Sequence, residues 1–225
     1  MAIKPILFNT EMVMAILEGR KTCARLLVKP QPDEKHTYPL GFVADSTEKE
    51  VGCFGFGIDE CGGSIKYVKP PYQLGDILYV RETWCGLPVN EAGHFRVHPI
   101  YYYRADGDLR PEGWRGAWHP SIRMPKEAAR IWLKVTDVRV ERLHDIDEDG
   151  ALREGAQGIR CDHVELGEHG CTDCMNTGWI EPPQVGFMQI WDSTIKKSDL
   201  DRYGWDANPW VWVIEFERCE KPEFK

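Results

Sequence analysis

The sequence predicts a mixed α+β fold in which short helices flank a small β-barrel. Segments with the apolar alternation of strands outnumber segments with helical spacing, and the predicted helices lie between strands. In the longest strand-like segment, 130–143, Ile131, Leu133 and Val135 alternate before the pattern changes phase at Thr136-Asp137. Such a change of phase is typical of a bulge, which bends a sheet toward closure.

The N-terminal elements follow from apolar spacing and capping residues. An apolar run over 3–8 predicts a strand, and apolar residues at helical spacing predict a helix over 10–18. Thr10 is the expected N-cap of this helix, and Gly19 stands where a helix usually ends. We expect the chain to continue as an extended segment over 26–28.

The middle of the chain contains two predicted insertions. Residues 33–70 are polar and Gly-rich, which indicates a loop or an irregular hairpin that pairs 51–56 with 64–68. A second insertion spans 86–124 and ends in a long loop with Gly, Pro and Trp but no periodicity. The strands expected in this half span 77–81 and 99–104.

The C-terminal part repeats the alternation of short helices and strands. Asp147 is placed to cap a brief helix through Glu154, which Gly155 ends. A Cys-rich insertion at 158–183 precedes a second amphipathic helix, and the last strand covers 210–217. We therefore predict one domain over 1–225, with insertions at about 33–70, 86–124 and 158–183.

Composition limits the classes of function. The chain has 225 residues, no apolar run long enough to span a membrane and no signal-peptide pattern, so we expect a cytoplasmic protein with no membrane partner. Its net charge of −8 argues against a nonspecific nucleic-acid coat, which would be basic. Charge is segregated, however, because residues 1–30 carry five cations against two carboxylates while residues 141–168 are strongly acidic.

The first basic segment follows the first helix. Arg20, Lys21, Arg25 and Lys29 place four cations within ten residues. One interpretation is a helix end at which cations only complement the helix dipole. The other is a site for an anionic ligand, since Arg and Lys side chains contact phosphates.

Several motifs resemble those of the ASCH domain family in the PUA-like superfamily, in a larger form common in phages and prophages. In chain order they are Gly19-Arg20-Lys21-Thr22, Leu74-Gly75-Asp76, Val80-Arg81-Glu82-Thr83-Trp84, Pro120-Ser121-Ile122-Arg123-Met124-Pro125, Ala151-Leu152-Arg153-Glu154-Gly155, and Asn208-Pro209-Trp210 with Val211-Trp212-Val213-Ile214-Glu215-Phe216. The resemblance implies a PUA-like β-barrel with flanking helices and a cleft for nucleotide or RNA. Some small members of the family are amidohydrolases that deacetylate N4-acetylcytidine.

The resemblance also implies site residues. It maps the catalytic Lys and Glu of those amidohydrolases onto Lys21 and Glu154, but the family's Thr nucleophile position is Ala24. Amide hydrolysis needs an attacking oxygen, so here attack must come from water or from Thr22. Binding of RNA or a nucleotide does not require the hydroxyl group that Ala24 lacks. The expected nucleic-acid-binding residues are Arg20, Lys21, Arg25, Lys29, Arg81, Trp84, Tyr103 and Trp210. The aromatic members are candidates to stack a base, with core packing as their alternative role.

The insertion at 158–183 carries a candidate metal site. Eight cysteines in a cytosolic chain favour metal binding or burial over disulfides. The Cys-x2-Cys pair Cys171 and Cys174 is typical of half a tetrahedral zinc site, which Cys161 with His163 or His169 would complete. We predict a structural zinc and no organic cofactor, and the alternative is a loop with reduced thiols.

Three functions remain open from the sequence. The first is binding of RNA or a modified nucleotide in a basic cleft, where Glu154 accepts a hydrogen bond from a base amine. The second is an enzyme, either a hydrolase of modified pyrimidine nucleosides or a ribonuclease that uses Lys21 and Glu154 as acid and base. The third is a phage-encoded interaction protein whose acidic face around 145–168 binds a partner.

Overall fold

The chain folds into a mixed α+β structure, as predicted. The computed structural model describes residues 1–44, 50–89, 95–112, 116–162, 174–175 and 177–223. Within these residues, twelve strands form several sheets, and four short α-helices lie between them. The strand pairings of the described residues do not close into a barrel, so the PUA-like barrel stays a prediction.

The strands form one five-stranded sheet and three smaller ones. The strands are β1 (Ile3–Leu7), β2 (Cys23–Leu27), β3 (Tyr38–Phe42), β4 (Phe54–Gly57), β5 (Ile65–Val68), β6 (Ile77–Arg81), β7 (Trp84–Val89), β8 (Phe95–Tyr103), β9 (Trp132–Arg142), β10 (Ile159–Arg160), β11 (Trp179–Glu181) and β12 (Trp210–Cys219). The helices are α1 (Thr10–Leu17), α2 (Glu148–Arg153), α3 (Pro183–Thr194) and α4 (Leu200–Tyr203). The strand orders are β1-β6-β9-β12-β2, β3-β4-β5, β7-β8 and β10-β11.

The chain divides into two compact units, each built from separate segments. The first comprises Met1–Arg20, Leu74–Thr136 and Phe216–Lys225, and the second comprises Lys21–Gln73 and Asp137–Glu215. A single domain over 1–225 therefore stays a prediction.

The first unit is built around strand β6. It pairs in parallel with β1, where Ile3 lies opposite Ile77, and antiparallel with β9, where Leu78 lies opposite Leu133. Helix α1 starts as predicted, but Asn9 rather than Thr10 caps it. The Asn9 side chain accepts a hydrogen bond from the Met12 backbone N–H at 2.8 Å, and so satisfies one of the free donors of the first turn.

The second unit packs α2 and α3 around strand β12, which pairs antiparallel with β2 and places Ala24 opposite Ile214. Its apolar core includes Ala151 from α2 and Trp191 from α3. The sheet β3-β4-β5 contributes a cluster of aromatic rings, in which Phe54 packs edge-on against Trp212 at 6.0 Å between ring centroids. This core fixes the ends of β2 and α2, where the candidate site lies.

Two of the predicted insertions contain more regular structure than expected. The hairpin between 51–56 and 64–68 is confirmed as β4 and β5, but β3 lies in a stretch that was expected to be a loop. Strand β7 likewise occupies part of the expected excursion after residue 86 and pairs with β8. None of the helices in the described part of the chain has the length and apolar character needed to cross a bilayer. The cytoplasmic location stays a prediction.

Candidate functional site

Lys21 and Glu154 are in direct contact inside the second unit. Lys21 precedes β2 and Glu154 follows α2, and an isolated antiparallel β-bridge joins the two residues. The Lys21 ammonium donates to a Glu154 carboxylate oxygen at 2.6 Å and to the Glu154 backbone carbonyl at 2.9 Å. Only 3% of Lys21 and 4% of Glu154 is exposed to solvent. The sequence prediction thus named two residues that form a buried ion pair.

The local sequence explains why α2 presents Glu154 here. The Asp147 side chain caps the helix by accepting from the Gly150 N–H at 2.7 Å, and Gly155, at φ +88°, ends it one residue after Glu154. A Cβ atom at Gly150 would lie 3.2 Å from a guanidinium nitrogen of Arg25. Glycine therefore leaves room for the Arg25 side chain beside the helix.

Arg25 is the third member of the buried charged cluster, which we define as Lys21, Arg25 and Glu154. Its guanidinium lies 3.4 Å from Glu154 and 3.1 Å from Glu141, and 7% of the residue is exposed. The guanidinium carbon lies 5.7 Å from the Phe187 ring centroid. The Arg25 Nε atom is buried without a hydrogen-bond partner in the described residues.

A network of ion pairs continues from this cluster toward the surface. Glu141 contacts Arg139 at 2.6 Å, and Glu215 contacts both Arg139 and Arg153 at 2.5 Å. Positive and negative side chains alternate through Lys21, Glu154, Arg25, Glu141, Arg139, Glu215 and Arg153. This alternation balances the two buried cations against nearby carboxylates.

The sequence reasoning did not identify the outer members of this network. Asp137, Arg139 and Glu141 occur at alternate positions of β9, so their side chains share one face of the strand. These charged residues at every second position were the feature of the sequence that could have identified this part of the network. Its partner Glu215 lies on β12, and that contact could not be read from sequence order.

The side chains of the cluster can support proton transfer and charge recognition. Burial, reinforced by Glu154, raises the pKa of the Cys23 thiol to about 12, so this thiol stays neutral at physiological pH. Ala24 is buried and has no hydroxyl group. The Thr22 hydroxyl accepts a hydrogen bond from Arg153 at 3.4 Å, and its backbone N–H donates to the Arg153 carbonyl.

The other predicted cations lie in different surroundings. Arg20 and Arg81 belong to the first unit, where Arg20 pairs with Glu18 at 2.5 Å and Arg81 donates to the Met124 carbonyl at 2.8 Å. Lys29 belongs to the second unit and is exposed. Among the contacts of the described residues, Lys21 and Arg25 are the two predicted cations that contact Glu154.

The predicted aromatic residues are in packed positions. In the first unit, Trp84 lies 5.8 Å from the Tyr101 ring centroid, and the Tyr103 hydroxyl donates to a backbone carbonyl at 2.7 Å. Burial raises the pKa of Tyr103 to about 12. In the second unit, Trp210 is 8% exposed, and the Arg142 guanidinium lies 4.5 Å from its ring centroid. Each ring therefore has protein partners of its own, so packing explains its position before any base is considered.

A second buried charge, which the sequence reasoning did not select, lies in the first unit. Glu82 is 1% exposed and accepts two hydrogen bonds from Arg130, both 2.9 Å long. Arg130 also binds Asp106 and lies 4.0 Å from the Tyr103 ring centroid. Burial raises the pKa of Glu82 and outweighs the opposing effect of Arg130. Glu82 lies inside the motif Val80-Arg81-Glu82-Thr83-Trp84, and this position was the feature of the sequence that could have identified it.

The candidate zinc ligands fall largely outside the described residues. Cys161 and Cys174 are buried, whereas His163, His169 and Cys171 lie outside the described part of the chain. Among the residues that the structure describes, no group of three or more His, Cys, Asp or Glu side chains is placed to hold a metal ion. The zinc site stays a prediction.

Comparison of the chain with protein-family models, with curated proteins and with solved structures found no match. The ASCH resemblance therefore depends on the motifs in the sequence alone. The function proposed below depends on those motifs together with the geometry of the buried charged cluster.

Proposed function

We propose that this chain binds RNA or a modified nucleotide in an ASCH-type site that includes the buried charged cluster. The observation that carries the proposal is that Lys21 and Arg25 both contact the Glu154 carboxylate, and each of the three residues is at most 7% exposed. A buried ion pair often stabilises a fold no more than apolar residues of similar volume would. Stability alone therefore does not explain the cluster, which makes it a candidate for function. The PUA-like barrel implied by the resemblance is part of this proposal.

Each member of the cluster has a role in recognising a nucleotide. The Glu154 carboxylate accepts a hydrogen bond from an exocyclic base amine, the group that distinguishes cytosine from uracil. Lys21 and Arg25 donate to base carbonyls or phosphate oxygens, which requires them to exchange part of their bonding to Glu154 for the ligand. Recognition of a modified pyrimidine thus uses the same residue types as the family's amidohydrolases.

One observation favours the enzyme alternative. The Lys21 ammonium lies 2.6 Å from the Glu154 carboxylate, a geometry that permits proton transfer once a substrate enters. Ala24 argues against it, because it supplies no attacking oxygen. Catalysis by water would need a position for that water beside the Lys21 and Glu154 side chains.

The proposal predicts that Lys21→Met weakens binding of N4-acetylcytidine and of a short single-stranded RNA by at least about tenfold. A charge-assisted hydrogen bond contributes about 1.5–3 kcal/mol, which corresponds to roughly ten- to 150-fold in affinity. Isothermal titration calorimetry with cytidine as a comparison ligand measures the effect. The matched control is Lys134→Met, which removes an exposed lysine paired with Glu217 at 3.8 Å.

The same assay separates binding from catalysis. One outcome is that the wild type releases acetate from N4-acetylcytidine while Lys21→Met and Glu154→Ala do not. That result would show that the chain is an enzyme and not only a binding protein. Equal affinity of the wild type and Lys21→Met, with native near-UV circular dichroism for both, would contradict the proposed site. An increase in acetate release on Ala24→Thr would show that the remaining catalytic geometry is intact.

We also propose that Cys161 and Cys174 hold a structural zinc ion with Cys171 and either His163 or His169. In support, the two described thiols are 6% and 4% exposed. The Cys161 N–H donates to the carbonyl of Gly178 at 3.1 Å, which joins the two ends of the insertion. A tetrahedral zinc would hold such a polar segment in place without an apolar core.

The zinc proposal predicts about one zinc ion per purified chain, and Cys174→Ser is expected to abolish it. Inductively coupled plasma mass spectrometry after dialysis measures the content. Cys53→Ser, which changes a cysteine of another part of the second unit, is the control and should retain zinc. Zinc-free wild-type protein whose thermal unfolding is insensitive to added zinc would contradict the proposal.

A further inference from the structure

A groove of about 730 Å³ lies on the second unit, apart from the residues that form the buried charged cluster. Its lining comprises residues 31–35, Arg142, Arg202, Ala207 and Pro209, and we call it the Arg142 groove. Its volume is within the range of small-molecule sites, roughly 300–1,000 Å³. Three cations line it, from three separate parts of the sequence.

These three cations have no ion-pair partner among the described residues. Lys35 and Arg202 are exposed, and Arg142 is partly buried. One Arg142 nitrogen donates to the Asn208 carbonyl at 2.9 Å, and its guanidinium carbon lies 4.5 Å from the Trp210 ring centroid. These two contacts hold the guanidinium in place, and its other N–H groups have no partner in the described part of the chain.

A second aromatic ring stands next to the groove. The Arg202 guanidinium carbon lies 5.0 Å from the Tyr203 ring centroid, and the Lys29 ammonium lies 5.9 Å from the same ring. Lys29 also has no ion-pair partner among the described residues, so it adds a fourth cation near the groove. Cations beside aromatic rings are the combination that binds single-stranded nucleic acid.

The groove also contains two carboxylates, only one of which is unpaired. Asp33 contacts Lys66 and also binds His36 at 2.7 Å, and the hydrogen bond from Lys66, followed by that from His36, holds the pKa of Asp33 below its usual range. Glu34 has no ion-pair partner among the described residues. Around the groove, unpaired cations therefore outnumber unpaired carboxylates, although the whole chain carries a net charge of −8.

We propose that the Arg142 groove binds phosphates of single-stranded RNA. A guanidinium fork matches two phosphate oxygens, and Arg142 is already held for such a contact. Lys21 and Arg25, by contrast, are buried against carboxylates, so they suit recognition of a base better than contact with a long backbone. The inference rests on the proposed function. It assumes that RNA is the ligand and assigns the RNA backbone to the Arg142 groove, while a base binds at the buried charged cluster.

The test is fluorescence anisotropy with a labelled oligouridine of about twelve nucleotides, at about 50 and about 200 mM KCl. The double variant Lys35→Gln/Arg202→Gln changes two exposed side chains, so the fold is expected to be retained. We expect it to weaken binding about tenfold at the lower salt concentration. Its plot of log affinity against log salt should be shallower by about 1.4, at about 0.7 for each lost phosphate contact.

Two single variants sharpen this test. Glu34→Gln removes the unpaired carboxylate and should tighten binding about two- to threefold, which a structural defect would not do. Arg160→Gln is the matched control, because Arg160 is exposed and lies 4.9 Å from the Trp179 ring centroid but does not line the groove. It should bind oligouridine with about twice the wild-type dissociation constant at most, since it removes one distant charge.

The outcomes distinguish the groove from the proposed nucleotide site. Unchanged oligouridine affinity of the double variant, or an equal loss in Arg160→Gln, would overturn the groove even if N4-acetylcytidine still binds in a Lys21-dependent way. A third outcome is that the double variant loses affinity for oligouridine, Lys21→Met does not, and no nucleoside binds. That outcome would support RNA binding in the groove and contradict the proposed nucleotide site.

Discussion

Replacement of Glu154 by Gln is expected to lower the free energy of unfolding by about 3–5 kcal/mol at pH 7. The Glu154 carboxylate accepts from Lys21 at 2.6 Å and lies 3.4 Å from Arg25, and the side chains of both cations are at least nine-tenths buried. An amide of the same shape leaves these two charges without their shared anion. Equilibrium unfolding in urea, followed by far-UV circular dichroism, measures the loss.

Two further variants separate the cluster from a general effect of removing a carboxylate. Glu217→Gln breaks an exposed pair with Lys134 at 3.8 Å and should cost about 1 kcal/mol at most. Lys21→Met combined with Glu154→Gln removes one of the stranded cations, so the double variant should unfold at higher urea concentration than Glu154→Gln alone. A loss below about 1 kcal/mol for Glu154→Gln would show that solvent reaches the cluster freely.

The parts of the fold that were predicted correctly are those that local chemistry determines. Strand β6 matches the predicted range because a short run of strand-favouring residues follows the turn at Gly75, and α2 has the predicted Asp147 cap and final Gly155. Strands β3 and β7 were not predicted because each contains Pro and Gly, residues that local propensity assigns to loops. Pairing with a neighbouring strand outweighs that propensity, and pairing is not visible in a single sequence.

The candidate site shows the same division. The contact between Lys21 and Glu154 was expected because family resemblance supplied a pairing over 133 residues of sequence separation. Without that resemblance, Glu141 and Glu215 could not be matched to Arg25 and Arg139, since every charged residue of the chain was an equal alternative. The burial of the cluster was equally invisible, because Lys and Glu are normally exposed.

Arg130→Met is expected to destabilise the chain by about 3–5 kcal/mol at pH 7, and by less as the pH is lowered toward 4.5. Glu82 is 1% exposed, and Arg130 donates both hydrogen bonds that the structure shows for its carboxylate. Methionine fills part of the same space but provides no charge. At neutral pH the buried carboxyl group must then either ionise without its cation or take up a proton, and both destabilise the folded chain.

The pH dependence follows from the direction of the Glu82 pKa. Burial already raises this pKa in the folded chain, and loss of the Arg130 hydrogen bonds and charge raises it further. A carboxyl group whose pKa is raised by folding stabilises the folded state fully below its unfolded pKa, near 4.5, and that contribution is lost as the pH rises through the folded pKa. The stability gap between Arg130→Met and the wild type should therefore widen from pH 4.5 to pH 7.

A double variant tests whether Glu82 is the group responsible. Glu82→Gln added to Arg130→Met removes the buried carboxyl, so its stability should lose most of the pH dependence seen in Arg130→Met. Asp106 also loses a partner in Arg130→Met, but 34% of its side chain is exposed, so water compensates part of that loss. If Asp106→Asn, rather than Glu82→Gln, removed the pH dependence, the destabilising charge would lie at the surface and not at the buried end of this ion pair.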